Sequence, residues 1–377
     1  MIKNMSKFSD SLVRPYERIA QWKEDNNKLV VGCLPMYFPE ELVHASGAVP
    51  FVMQESDELI TLGSRHIDSF FCRFVRSVVD LAAKGKLDFL DLLIVPDTCV
   101  QQRGMAQVMR HLRTNIPVEL IQFPIQIGVD SAVNHARQCL EKVRVRLQQL
   151  TGNEVSDGQI AKSILVHKEN RALLKRVYQL RKERPGLLRG RDVMEIVQSS
   201  MVMPKEEHSE HLKVLLAELE EPQASTGERV RLCISGHLCS APKVDVLDLI
   251  EEMGAVIVDD DLYTGFRYFA EEREDKGSPM EQLARRYVYR TVPCPTRFDP
   301  GNDWRSYLVN MVKKAQAQGI IVLIQRHCEP HLTWYPDIKD ALSAAKIRCL
   351  MIETEHEAFS LGEEKTRIQK LVETIRG

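Results

Sequence analysis

Nine cysteines stand at positions 33, 72, 99, 139, 233, 239, 294, 328 and 349, and no two of them form a Cys-x-x-Cys pair. Zinc ribbons and thioredoxin-type sites depend on such close pairs, so a metal site here must be assembled from distant loops. Three cysteines are placed for that. Cys99 follows the apolar run LDLLIV, Cys328 follows GIIVLI in the same way, and Cys72 lies at or near a helix start in SFFCRFVRS. Thiolates are the ligands of iron–sulfur clusters, and an all-cysteine cubane uses four. Three would leave one iron open to water, substrate or another ligand, as metal-centred chemistry requires. Arg73 and Arg76 beside Cys72, and Arg103 after Cys99, are cations that favour thiolate over thiol. Against this stands the ordinary fate of a lone cysteine, which is to be a small buried hydrophobe. Cys139, Cys233 and Cys349 lie inside helix or strand patterns and fit that fate. Cys33, Cys239 and Cys294 sit in loops near strand ends and fit either reading. Placement alone leaves the metal site open.

Other residues carry weaker signals. In YFPEELVHASG, Glu41 or His44 would serve as a proton donor in a cleft; the plainer account is helix-start carboxylates and a satisfied helix histidine. His327, Glu329 and His331 surround Cys328 and are suited to protonating an intermediate or orienting the loop. Glu353, Glu355, His356 and Glu357 follow the last strand, where a solvated acidic helix start explains them better than chemistry. Asp259-Asp260-Asp261 suggests magnesium, yet no GxxxxGK[ST] phosphate loop and no GxGxxG fingerprint occurs in the chain. The chain therefore does not hydrolyse ATP through a P-loop of its own.

The elements that must position these residues alternate. Strands are expected at 29–31, 49–53, near 90–96 and at 117–123, with helices at 14–27, 40–46, 70–84 and 104–113. From 131 to 221 the pattern turns helical, interrupted at Pro185-Gly186. After the polar stretch 221–228, strands return at 231–235, 255–258, 320–324 and 348–352, with helices at 244–253, 336–345 and 363–375. The expected fold is α/β: two open, mostly parallel α/β domains facing each other across a cleft and joined by a helical section. The expected boundaries are 1–130, 131–225 and 226–377. In open α/β sheets ligands bind beyond the carboxyl ends of strands, so Cys72, Cys99 and Cys328 meet if the sheets face each other.

With 44% apolar and 28% charged residues and a net charge of −2 over 377 residues, the chain reads as an ordinary globular protein. It offers no reason to expect nucleic acid or membrane partners. The polar N-terminus and the absence of an 18-residue apolar run lead us to expect a cytoplasmic protein.

Several stretches together resemble the smaller cluster-bearing subunit of ATP-dependent benzoyl-CoA reductases, within the 2-hydroxyacyl-CoA dehydratase family. They include PYERIAQWK, VVGCLPMYFPEELVHASGAVP, SFFCRFVRS, KLDFLDLLIVPDTC, VDDDLYTGFRYF, VPCPTR, LIQRHCEPHLTWYPDIKDAL and IETEHEAFSLGEEKTRIQKLVE. The resemblance covers nearly the whole chain and is weakest at 130–225. It implies a [4Fe-4S] cluster held by Cys72, Cys99 and Cys328. It also implies a homologous larger subunit with its own cluster, and a separate ATP-hydrolysing activator that delivers electrons. The reaction it implies is reduction of an aromatic acyl-CoA to a cyclic diene thioester. Double-cubane relatives carry a cysteine where this chain has Tyr263, which argues for a single cubane. Two alternatives stand beside this reading. One is a 2-hydroxyacyl-CoA dehydratase subunit eliminating water through a ketyl radical. The other is a cluster-free structural subunit.

Overall fold

The computed structural model describes residues 2–112, 114–221, 228–236, 241–270, 276–354 and 361–377. Helices α1 (Ser6–Leu12) and α2 (Pro15–Asn26) lead into β1 (Val30–Cys33), α3 (Glu40–Ala45), β2 (Val49–Val52), α4 (Arg73–Ala83), β3 (Leu92–Pro96), α5 (Val100–His111) and β4 (Val118–Ile121). Four helices follow: α6 (Ser131–Thr151), α7 (Asp157–Glu183), α8 (Gly190–Val202) and α9 (Lys205–Glu220). The second α/β half holds β5 (Val230–Gly236), α10 (Val244–Glu252), β6 (Ala255–Asp260), α11 (Phe266–Phe269), α12 (Pro279–Val288), α13 (Trp304–Lys314), β7 (Gly319–Gln325), α14 (Glu329–Ala344), β8 (Arg348–Thr354) and α15 (Leu361–Arg376). Among the described residues no helix is long and apolar enough to cross a membrane.

Two four-stranded sheets result, ordered β2-β1-β3-β4 and β6-β5-β7-β8, with every pairing parallel. Parallel strands are covered on both faces and so read as unbroken apolar runs; β3 is buried along its whole length, and so is β7 up to its last residue. The two sheets share one topology. The second strand lies outside the first, and the chain then crosses over to place the third and fourth. The order therefore reverses between β1 and β3, and again between β5 and β7. Such switch points are where open sheets accept ligands. The expected α/β class with two facing parallel sheets is the fold observed.

One continuous core joins the first sheet to the four central helices, while two smaller cores pack the two faces of the second sheet. Where β5 meets β7, Gly236 has φ +120, and a Cβ on it would sit 1.8 Å from the Leu323 carbonyl oxygen. Only glycine fits there.

Several helix starts differ from the sequence expectation. Helix α5 begins at Val100, four residues before the expected Gly104, and α14 begins at Glu329, seven before 336. Gly104 and Pro336 read as punctuation in the sequence, but both are helix-internal. Gly104 gives the Phe71 ring room, since an added Cβ would lie 3.1 Å from it. Pro330 takes the first-turn position that suits a proline. Strand β6 runs on through Asp260, and Cys33 is the last residue of β1, not a turn residue.

Candidate metal centre

Each of the three cysteines is the N-cap residue of a helix: Cys72 of α4, Cys99 of α5 and Cys328 of α14. Cys99 follows β3 and Cys328 follows β7, so both stand at the switch points of their sheets. All three line one cleft between the two α/β halves. Met36 and Val75 give it apolar wall, Gln101, Gln102 and Gln325 give it amides, and Glu329 adds a carboxylate. None of the three thiols is in a disulfide. The halves are bound together beside the cleft: Arg297 donates to the Asp97 carbonyl at 2.8 Å, and the Gln325 amide donates to Glu55 at 3.1 Å.

Burial dominates the electrostatics. It pushes the Cys72 thiol well above its ordinary range, and the nearby Cys99 and Cys328 raise it further. Burial likewise raises Cys99, with Glu329 and Asp97 adding to it, and pushes Cys328 up to about 12, with Cys99 and Glu329 adding. Backbone N–H groups of the first helical turns act the other way: Val75 on Cys72, Gln102 and Gln101 on Cys99, and His331 on Cys328. None closes a cap hydrogen bond by geometry, so these amides act as oriented dipoles. Two of the flanking cations, Arg73 and Arg103, are engaged elsewhere. Arg73 pairs with Glu55 at 3.2 Å and donates to the carbonyls of Ser56 and Glu58, while Arg103 pairs with Asp97 at 2.7 Å. Helix termini take the part the sequence suggested for arginines.

His331 is buried, with Nδ1 3.2 Å from Cys328 Sγ. Its ring lies 5.2 Å from that of Trp304, whose indole N–H donates to Asp261 at 2.9 Å. The Cys328 loop is thereby held from beneath. His327 and Glu329 line the cleft.

The donor set suits an iron–sulfur cluster. Three thiols from three loops in a mostly enclosed cleft, each at a helix N-terminus, match an anionic cofactor with thiolate ligands. Among the described residues no three His, Cys, Asp or Glu side chains converge closely enough to hold a single metal ion. A cubane is less demanding, since its thiolates bind separate irons and need not point at one centre. The cavity within the cleft is small, about 30 Å³. Chemistry of the ligands, more than present room, is what fits.

The remaining sequence candidates lie elsewhere. Buried Glu41 is gripped by Arg171 at 2.8 Å and by Arg286. His44 contacts Ser163 and Glu206, both at 2.9 Å. Neither lines the cysteine cleft. The aspartate run is consumed by cations: Asp259 by Lys182, Asp260 by Arg181 and Asp261 by Arg267. Glu353 pairs loosely with Arg326 at 3.7 Å. Cys33, Cys139 and Cys233 are buried in β1, α6 and β5, Cys349 is half-buried in β8, and Cys294 is buried in a loop. Cys239, Glu355, His356 and Glu357 lie outside the described residues. The cleft residues that sequence reasoning missed are uncharged: Met36, Thr98, Gln101, Gln102, Thr296 and Gln325. The one available signal was the Gln-Gln pair in TCVQQRG, two amides in the turn after a cysteine.

A model of the family described as 2-hydroxyglutaryl-CoA dehydratase, D-component, matches residues 35–375. The chain is 30% identical over 357 residues to a subunit of the benzoyl-CoA reductase of Thauera aromatica, covering 94% of this chain and 91% of that one. It is 26% identical to the beta subunit of the (R)-phenyllactyl-CoA dehydratase of Clostridium sporogenes, covering 99% of both. It is also 26% identical to the beta subunit of the (R)-2-hydroxyglutaryl-CoA dehydratase of Acidaminococcus fermentans, covering 100% of this chain and 99% of that one.

Proposed function

Because the chain belongs to the 2-hydroxyglutaryl-CoA dehydratase D-component family, we propose that it is the smaller cluster-bearing subunit of an ATP-dependent aromatic acyl-CoA reductase. Cys72, Cys99 and Cys328 would hold one [4Fe-4S] cluster. The observation that carries this reading is the meeting of three helix-capping cysteines in one cleft between two sheets. Bound there, a cluster supplies low-potential one-electron transfer. The chain itself has three tasks. It supplies three thiolates and leaves a fourth position open, aims three helix N-termini at the negative charge, and keeps bulk water away.

Large apolar side chains are exposed beside the cleft. Phe70 precedes Cys72 by two residues, Val100 adjoins Cys99, Leu332 follows Cys328 by four, and Phe298 follows the cleft residue Thr296 by two. We take these flanking side chains as contact points for a homologous larger subunit, the partner that covers the cleft and carries the acyl-CoA. With no P-loop in the chain, ATP hydrolysis belongs to a separate activator. The reaction adds two electrons and two protons to the ring and yields a cyclic diene thioester. A 2-hydroxyacyl-CoA dehydratase is the second reading, supported by dehydratase subunits that match this chain from end to end.

The test is anoxic purification with the partner subunits, followed by iron and sulfide determination, EPR, and assays with benzoyl-CoA and with 2-hydroxyacyl-CoA. About four irons per chain are expected. An iron-free chain overturns the cluster. Elimination of water without ring reduction selects the dehydratase.

A further inference from the structure

We propose that Gln101 is a positioning residue that ties the three cysteine loops into one unit across the boundary between the α/β halves. The proposal rests on the cluster reading above. Gln101 stands two residues after Cys99, in the first turn of α5. Its Oε1 accepts from the Cys72 backbone N–H at 2.7 Å, and its Nε2 donates to the His327 carbonyl at 2.8 Å. One buried amide thus touches the residue that carries the first thiol and the residue that precedes the third. Its own backbone continues from the second.

The orientation of this amide is fixed by its partners. An N–H needs an acceptor and a carbonyl needs a donor, so only one flip of the glutamine satisfies both. The Cys72 N–H precedes its helix and has no acceptor within it. The His327 carbonyl is presented by a left-handed residue, φ 64, and also accepts from the Glu329 N–H at 3.1 Å. No other common side chain does both jobs at this length. Glutamate accepts from Cys72 but sets an oxygen against the His327 carbonyl. Lysine and arginine donate but cannot accept. Asparagine is one methylene short. Gln101 is only 6% exposed; losing it takes the acceptor from the part-buried Cys72 N–H and leaves the His327 carbonyl with the Glu329 N–H alone.

Two substitutions in the full chain test the tether: Gln101→Met, which keeps length and loses both bonds, and Gln101→Glu, which keeps the bond to Cys72 and loses the one to His327. In the loaded complex, iron release to an iron(II) chelator is expected to run roughly tenfold faster for Q101M. In the cluster-free chain, amide exchange is read segment by segment. Q101M is expected to expose both 69–73 and 325–329, whereas Q101E exposes 325–329 and leaves 69–73 protected. A residue that merely fills space would not split the two segments. Wild-type iron retention and exchange in Q101M overturns the proposal, and so does equal exposure of both segments in Q101E. Failure of the cluster reading appears separately, as a wild-type chain without iron; the exchange pattern still decides the tether.

Discussion

Cys72, Cys99 and Cys328 are each pulled two ways. Burial holds the proton on sulfur, and a helix terminus favours its loss. A single terminus contributes about 0.3–2 kcal/mol, which offsets only part of the rise that brings Cys328 to about 12. Without metal the thiols therefore stay protonated, and loading an iron–sulfur core must displace their protons. Cysteines away from the cleft have no such task. Cys33 is fully buried in β1, so Cys33→Ala is expected to cost about 1 kcal/mol of stability and to leave iron content unchanged. Cys328→Ser should lose most of its iron. Iron analysis of both anoxically purified variants checks this, and iron loss in Cys33→Ala would contradict it. His331 is separable from the ligands. His331→Phe keeps an aromatic ring against Trp304 but removes the 3.2 Å contact to Cys328 Sγ. Its expected effect is roughly ten- to a hundredfold easier extraction of iron by chelator, with far-UV circular dichroism unchanged.

At the level of elements, the site is made by where helices begin and where strand order reverses. Much of this was legible in the chain. Apolar runs such as LDLLIV and GIIVLI mark buried parallel strands, and cysteines just past them mark strand ends. The central helices followed from their Lys, Arg, Glu and Leu content. The first turns of α5 and α14 were not legible, because cysteine is not among the usual N-cap residues and because Gly104 and Pro336 look like helix boundaries. Helices α12 and α13 were not among the expected elements, although Ser278 and Asp303 cap them through the backbone N–H groups of Glu281 and Ser306. The Gln101 bridge was out of reach, since it spans 226 residues and depends on how the two sheets face each other. Sheet packing also explains Gly236, whose strand lies too close to β7 for any side chain. Gly236→Ala is expected to destabilise the protein by at least about 3 kcal/mol. Denaturant unfolding measures it, and a loss below about 1 kcal/mol would mean that β5 can shift away from β7.

The whole molecule depends on polar groups buried where the central helices join the two halves. Lys205 and Glu40 pair at 2.8 Å, and the Tyr268 hydroxyl donates to the same Glu40 at 2.8 Å. Two histidines lie in this region. Burial, and then the charge of Lys205, holds both His167 and His208 down to about 3. Hydrogen bonds keep His208 neutral: Nδ1 accepts from the Asn170 amide at 2.9 Å, and Nε2 donates to the Ile196 carbonyl at 3.0 Å. A second ring proton would meet the Asn170 N–H. Between about 3 and the ordinary 6.5, the unfolded chain takes up protons that the folded chain refuses. Stability therefore rises with pH through this window, is complete above 6.5, and is lost as pH falls below it. Two such histidines predict a loss of roughly 2–3 kcal/mol between about pH 7.5 and about pH 5.5. His208→Gln should remove about half of that dependence, because glutamine does not titrate, even if the variant is less stable throughout. Anoxic denaturant unfolding at a series of pH values reads both slopes. Equal slopes for the two proteins would mean that His208 already carries its proton in the fold.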